Sequence, residues 1–182
     1  MQRLWNIIAL VFCTILLILT GCDSDNGTGP STATNSSAAF ILNGSPYSNT
    51  SVDLRDKTGG IWLIQSDDRM IGMLDVLASF NGTSTNRVLL TLTIPASHVG
   101  TYDWIDPKGA VLSNSGVFLE IQEPGGVIRE YQAVQGSTVV ALVGAETAQV
   151  DGTFTGSLRS TSDGSIITIS NGVFSITRLK DQ

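Results

Sequence analysis

His98 is the only histidine among the 182 residues. It sits in Pro95-Ala96-Ser97-His98-Val99-Gly100, a loop by composition. A zinc site built on it would need carboxylate co-ligands, and no motif supplies their spacing. As the base of a Ser-His-Asp triad it would need a serine on a sharp strand-to-helix turn, and neighbouring Ser97 does not match that motif. His98 therefore reads as a loop residue with no special role. The carboxylates worth weighing are Asp67-Asp68, and Asp103 with Asp106. The first pair falls in a hairpin turn, where Asp is favoured for backbone hydrogen bonding. The second flanks Trp104 and precedes Pro107-Lys108-Gly109, another turn. Calcium takes about six to eight oxygens, usually from one loop, and neither pair matches such a loop. Paired acids serve glycoside hydrolysis only at a set separation in space, which the sequence does not give. The glycines mark turns rather than a phosphate cradle. No metal, no cofactor and no catalytic constellation is expected.

Trp62, Trp104, Tyr47, Tyr102 and Tyr131 could stack on a sugar ring. Trp62, in Ile61-Trp62-Leu63-Ile64, has apolar neighbours on both faces and reads as core. Trp104 differs. It ends a strand beside a polar turn, with acids on either side. Packing in the core or at its rim explains it. An aromatic at a loop rim near hydrogen-bonding groups also suits a ligand mouth. Trp104, Asp103, Asp106 and Tyr102 are thus the candidate ligand rim.

The chain's two cysteines are Cys13 and Cys22. Arg3 supplies a positive n-region, Ile7 to Leu19 a short apolar run, and Gly21 with Asp23-Ser24-Asp25-Asn26-Gly27 ends it abruptly. This is signal-peptide anatomy rather than that of a spanning helix. Leu19-Thr20-Gly21-Cys22 resembles the lipobox of bacterial lipoproteins. The resemblance implies cleavage before Cys22 and a diacylglycerol on its thiol. Two or three acyl chains would hold the protein stably, since one chain binds a membrane only marginally. Cys13 leaves with the leader, so the folded part carries no disulfide and no Cys ligand or nucleophile. Its stability must come from a packed core.

The expected organisation is a signal peptide over 1–21, a lipidated Cys22 with a tether to residue 38, and one domain over 39–182. Residues 23–38 hold no large apolar side chain and cannot offset their ordering entropy by burial. Removing Arg3 with the leader leaves nine basic side chains against sixteen acidic ones, a net charge near −7. Such a balance argues against nucleic acid and against a basic membrane patch.

The elements that must position any site are strands. Val88, Leu90, Leu92 and Ile94 point one way and Arg87, Leu89, Thr91 and Thr93 the other, the period of a half-buried strand. Turn signals recur at Asn43-Gly44, Asn81-Gly82, Gly125-Gly126, Asp163-Gly164 and Asn171-Gly172. The last reads as the strongest hairpin turn, because Asn-Gly accepts the positive φ angles of a type I′ turn. Strands are predicted near 39–42, 49–54, 60–66, 70–80, 87–95, 101–104, 116–122, 127–134, 137–143, 148–159 and 165–178, the last split at Asn171-Gly172. Met70, Met73, Leu74 and Leu77 also fit helical spacing, but Gly72 and the flanking strands favour a meander. The fold class is all-β: an antiparallel β-sandwich or closed β-barrel of about ten short strands.

Gly100-Thr101-Tyr102, Val150-Asp151-Gly152-Thr153-Phe154-Thr155-Gly156 and Ile169-Ser170-Asn171-Gly172-Val173-Phe174 occur in that order. With the opening Phe40-Ile41-Leu42-Asn43-Gly44-Ser45-Pro46-Tyr47, they resemble a group of small lipoproteins of unknown function common in Bacteroidota and related bacteria. The resemblance spans most of 39–179 and implies a β-rich domain on a lipid anchor. It carries over no activity and no site residues. The expected function is a non-catalytic binding or structural module of the cell envelope, held outside the cytoplasm by lipid on Cys22, the outer membrane favoured. A glycan, small-molecule or protein partner fits that reading. The alternatives are a carrier with an apolar or glycan ligand inside a barrel, and a carbohydrate-directed enzyme using Asp103 and Asp106.

Overall fold

The structure, a computed structural model, describes residues 36–56, 60–64, 69–108 and 115–179. The leader, Cys22, the Asp67-Asp68 pair and the tether as far as residue 35 lie outside the described residues.

Period-two alternation becomes ten strands. In chain order they are β1 (Ser36–Gly44), β2 (Tyr47–Asp56), β3 (Gly60–Ile64), β4 (Met70–Phe80), β5 (Ser84–Ile94), β6 (Gly100–Asp103), β7 (Gly116–Gln122), β8 (Ile128–Val143), β9 (Gln149–Ser160) and β10 (Ile166–Thr177). The hydrogen-bonded order β2-β1-β10-β9-β8-β7-β5-β4 returns on itself where Val52 pairs with Phe80 and Asp53 with Ser79. Those pairings close eight antiparallel strands into a barrel. The closing ladder is short, resting on these two residue pairs.

The other two strands share an edge with a neighbour. β3 runs along β4 where β2 leaves it, from Gly60 opposite Leu74 to Ile64 opposite Met70. β6 takes the upper part of β8, with Gly100 opposite Val140, and β7 the lower part, with Phe118 opposite Gln132. Between β6 and β7 the chain leaves the wall at Trp104 and returns at Ser115. The neck of this excursion is closed twice. The Ile105 amide donates to the Ser115 carbonyl at 3.0 Å, and Ser115 Oγ donates to the Asp103 carbonyl at 2.8 Å.

Alternation puts apolar side chains inside. On β9, Val150, Gly152, Phe154 and Leu158 face the interior, while Asp151, Thr153, Thr155 and Arg159 face out. This is the inverse of a membrane barrel, whose apolar residues face lipid. Among the described residues no helix is long and apolar enough to cross a membrane. An aromatic column fills the interior. Trp62 stacks on Phe174 at 5.4 Å, Phe174 touches Phe154 at 6.3 Å, and Phe154 meets Phe40 edge-on at 5.6 Å. At the end of the β1–β2, β4–β5, β7–β8 and β9–β10 hairpins, the Tyr47 ring lies 6.4 Å from Phe80 and 6.3 Å from Tyr131.

Residues 70–80 form a strand, with Met70, Leu74, Val76, Ala78 and Phe80 buried in alternation. Gly72 is required there, because a Cβ would run into the Trp62 ring. Three expectations need correction. First, the barrel begins at Ser36, not Ala39. Ser36 and Ala38 look like tether, yet Ala38 is buried between Leu54 and Phe174, and the Thr177 amide donates to Ser36 Oγ at 3.0 Å. Second, 127–134 and 137–143 are the single strand β8. Gln135-Gly136-Ser137 resembles a turn, but Gly136 lies directly opposite Gly156 and the ladder continues with a bulge between Ala133 and Gln135. Third, Asn171-Gly172 is not a hairpin turn. Asn171 has a φ of 53°, and the β9–β10 register shifts between Ile169 and Gly172. A bulge and a type I′ turn both want a left-handed residue, so the same dipeptide serves either.

Candidate functional site

Three strands lay a row of side chains across the outer wall. Phe118 on β7 lies opposite Gln132 on β8, which lies opposite Arg159 on β9. One step along the same face, Glu120 lies opposite Glu130. Two other pieces wall this strip in: Asp106-Pro107 at the start of the excursion, and Ser160, Thr161 and Gly164 of the β9–β10 hairpin. Together they bound a cleft of about 500 Å³, with Phe118 and Pro107 supplying apolar surface.

Asp106 is held in place from two sides. Its Oδ1 accepts the Lys108 amide at 2.9 Å, an Asx turn. Its carboxylate also meets Arg159, with Nη2 3.2 Å from Oδ2 and Nη1 3.5 Å from Oδ1. The Lys108 amide does most to keep the carboxyl below the usual carboxylate range, and the Arg159 guanidinium adds to it against a desolvation penalty. The ion pair is long beside Arg87–Asp75, which closes at 2.8 and 2.7 Å. Its guanidinium is therefore loosely engaged at the cleft. Glu130 Oε2 accepts from Thr161 Oγ1 at 3.1 Å, and the Glu130 carbonyl accepts the Thr161 amide at 3.0 Å.

The hairpin bounding the cleft is set by Asp163, whose Oδ1 accepts the Ser165 amide at 2.9 Å. That bond, with side-chain bonds from Ser165 and Ser160, lowers its pKa from 3.8 to about 2. A depressed carboxyl stabilises the fold fully above its unfolded value and loses that contribution as pH falls through its folded value. Asp163→Asn is therefore expected to lower the melting temperature at about pH 5 and above. The difference from the parent should close as pH falls toward about 2. Melting curves of both chains across that range test it. A gap that stays constant with pH would remove the ionised turn as its cause.

The structure scatters the four rim candidates. Asp106 reaches the cleft. Asp103 is exposed on the outer face of β6. Tyr102 turns to the loop before it, its hydroxyl donating to the His98 carbonyl at 2.7 Å and lying 2.6 Å from His98 Nδ1. His98 is thus part of a loop staple. Trp104 is inside the barrel, 6% exposed, with Nε1 donating to Thr138 Oγ1 at 2.9 Å. Alternation explains the split: Gly100, Tyr102 and Trp104 take the inner positions of β6 and its extension, Thr101 and Asp103 the outer ones.

Sequence reasoning missed Phe118, Glu130, Gln132 and Arg159. Each reads alone as an outward residue of a strand. Only the register brings them together. Among the described residues no group of three His, Cys, Asp or Glu side chains is arranged to hold a metal ion. A second, uncharged groove of about 450 Å³ crosses β8, β9 and β10 between Ser137, Thr153, Thr155, Ser170 and Val173. Comparison with protein-family models, curated proteins and solved structures finds no match to this chain.

Proposed function

We propose that this chain is a lipid-anchored, non-catalytic binding module of the bacterial cell envelope, held outside the cytoplasm at the outer membrane through Cys22, with the wall cleft as its ligand site. The observation that carries this reading is the cleft itself: a concave, partly apolar site with a few convergent polar groups from four segments of chain.

The arrangement of charges favours binding over catalysis. A glycosidase acid needs its proton near neutral pH, which demands a raised pKa. Asp106 is shifted the other way and is already paired with Arg159. The candidate pair is also split, since Asp103 lies outside the cleft lining. The packed aromatic column from Trp62 to Phe40 favours a wall site over a ligand carried inside. Ser36 enters at the barrel end opposite the β9–β10 hairpin, against which the cleft lies.

Two measurements test the reading. Cys22→Ser is expected to abolish labelling by an alkyne-bearing palmitate and to move the chain from the membrane to the soluble fraction. A variant that stays in the membrane pellet after a carbonate wash would overturn the anchor. For the cleft, a ligand at 100 times its Kd raises stability by about 2.7 kcal/mol. A thermal-shift screen of the full chain should find such a ligand, and Arg159→Ala should remove the shift. Persistence of every shift in that variant would place binding elsewhere.

A further inference from the structure

We infer that the wall cleft takes a neutral saccharide, with Phe118 under one sugar face and Asp106, Glu130, Gln132 and Arg159 around its hydroxyls. The inference rests on the reading of the cleft as the ligand site. Three properties of the cleft lead to it.

The first is the sorting of hydrogen-bonding groups. A sugar hydroxyl both donates and accepts. Two vicinal hydroxyls therefore want an acceptor and a donor side by side. Asp106 and Arg159 provide that pair on one wall, their groups 3.2 Å apart at the closest. The pair is fixed on the acid side by the Lys108 amide and loose on the guanidinium side. A hydroxyl can bridge both groups without breaking the turn that holds Asp106. Gln132 adds an amide with both a donor and an acceptor from the middle of the row.

The second is the charge. Two of the ionisable lining side chains are acids and one is Arg159, which already faces Asp106. Glu120 lies directly opposite Glu130, so the strip beyond the cleft is acidic as well. Like charges directly opposite one another are unfavourable, and an anionic ligand would add to them. The chain as a whole carries −6, which also disfavours the approach of an anion. A cation would meet the Arg159 guanidinium. A neutral polyol meets neither penalty.

The third is the apolar surface. Phe118 is half-buried between β5 and β8, opposite Thr91 and Gln132, and contributes to the cleft lining. The ring face carries the negative end of the aromatic quadrupole, which attracts the polarised C–H bonds of a pyranose. The cleft has a volume of about 500 Å³. That volume holds one or two sugar rings, within the usual range for small-ligand sites of roughly 300–1,000 Å³.

Calorimetry of the full chain in a sugar-free detergent tests the inference. The probes are neutral tetrasaccharides of β-1,4-glucose, β-1,4-xylose, α-1,4-glucose and β-1,4-N-acetylglucosamine, with tetragalacturonate and tetralysine as charged counterparts. At least one neutral probe should bind, and Phe118→Ala and Arg159→Ala should each weaken it by tenfold or more. Asp103→Asn, outside the cleft, should leave it unchanged. Far-UV circular dichroism and melting curves confirm that the variants are folded. Arg159→Lys, which keeps the charge but loses the planar fork, should also weaken binding and cannot be explained by net charge. Failure of all four neutral probes would overturn the saccharide class. So would a charged probe binding through Phe118 and Arg159 in their place, though the cleft would then stand as the ligand site. Neutral binding unaffected by both Phe118→Ala and Arg159→Ala would overturn the cleft itself.

Discussion

Trp104→Ala is expected to destabilise the barrel by about 4 kcal/mol, the usual cost of emptying a buried Trp site. A domain of this size has about 5–15 kcal/mol in all, so the variant will be close to the edge of folding. The indole is 6% exposed and lies against the inner faces of Gly116, Gly136 and Gly156, which have no side chains to relax into the space left behind. Urea denaturation should show a midpoint shift with little change in slope. Trp104→Phe separates two causes. It keeps most of the ring but leaves Thr138 Oγ1 without the Nε1 donor that now reaches it at 2.9 Å. That should cost about 1–3 kcal/mol. Trp104 also begins the segment carrying Asp106, so the alanine variant should lose ligand binding at the cleft even where it still folds. A midpoint within experimental error of the parent would show that the indole is not a core residue.

That the chain is a β-meander was legible because the information is local. Val88, Leu90, Leu92 and Ile94 announce an inner face, and all four are buried. Gly72 and the flanking strands placed 70–80 on a strand against a competing helical spacing, and its buried residues alternate. Closure was not legible, because it depends on Val52 meeting Phe80 and Asp53 meeting Ser79, a contact that no local pattern encodes. Gly136 and Asn171 show the limit of punctuation signals. Glycine and asparagine mark positions where the backbone needs freedom or space, and bulges and close crossings need these as much as turns do.

The site was less legible than the fold, for a related reason. Asp106 was found because it sits in a recognisable turn beside an aromatic. Its partners Phe118, Glu130, Gln132 and Arg159 come from three different strands, and in sequence each is one outward residue among many. Their chemistry exists only in register. Trp104 was kept as a rim candidate because of its polar neighbours, although packing was the preferred reading; counting from Gly100 through Tyr102 places it inside, as its burial shows. Neighbours in a strand point to opposite faces, so acids flanking an aromatic say nothing about its own burial.

Gly136→Ala should be about as damaging as the loss of Trp104, for the opposite reason. A Cβ at Gly136 would lie 2.6 Å from the Gly156 Cα and 2.6 Å from Trp104 Cε3, and closer still to the Thr155 carbonyl oxygen. Overpacking costs about 1–3 kcal/mol where side chains can shift, and occasionally more. Two of these three obstacles are backbone atoms of the facing strand and cannot rotate away, so a cost of about 3 kcal/mol or more is expected. Combining Gly136→Ala with Trp104→Ala sorts the obstacles. Removing the indole relieves one of the three, so the double variant should be more stable than the sum of the two losses by about 1 kcal/mol. Full relief is not expected, because the Thr155 carbonyl and the Gly156 Cα remain. Gly82→Ala provides the contrast. It has a φ of 73° but nothing within 4 Å of a Cβ, so only backbone strain of about 1 kcal/mol should appear. Urea midpoints for the four chains decide the matter. If Gly136→Ala costs no more than Gly82→Ala, close strand packing at the glycine pair is not what seats Trp104. If the double variant shows no coupling, the indole and the pair do not share one space, and Asp106 must be positioned by the neck of the excursion alone.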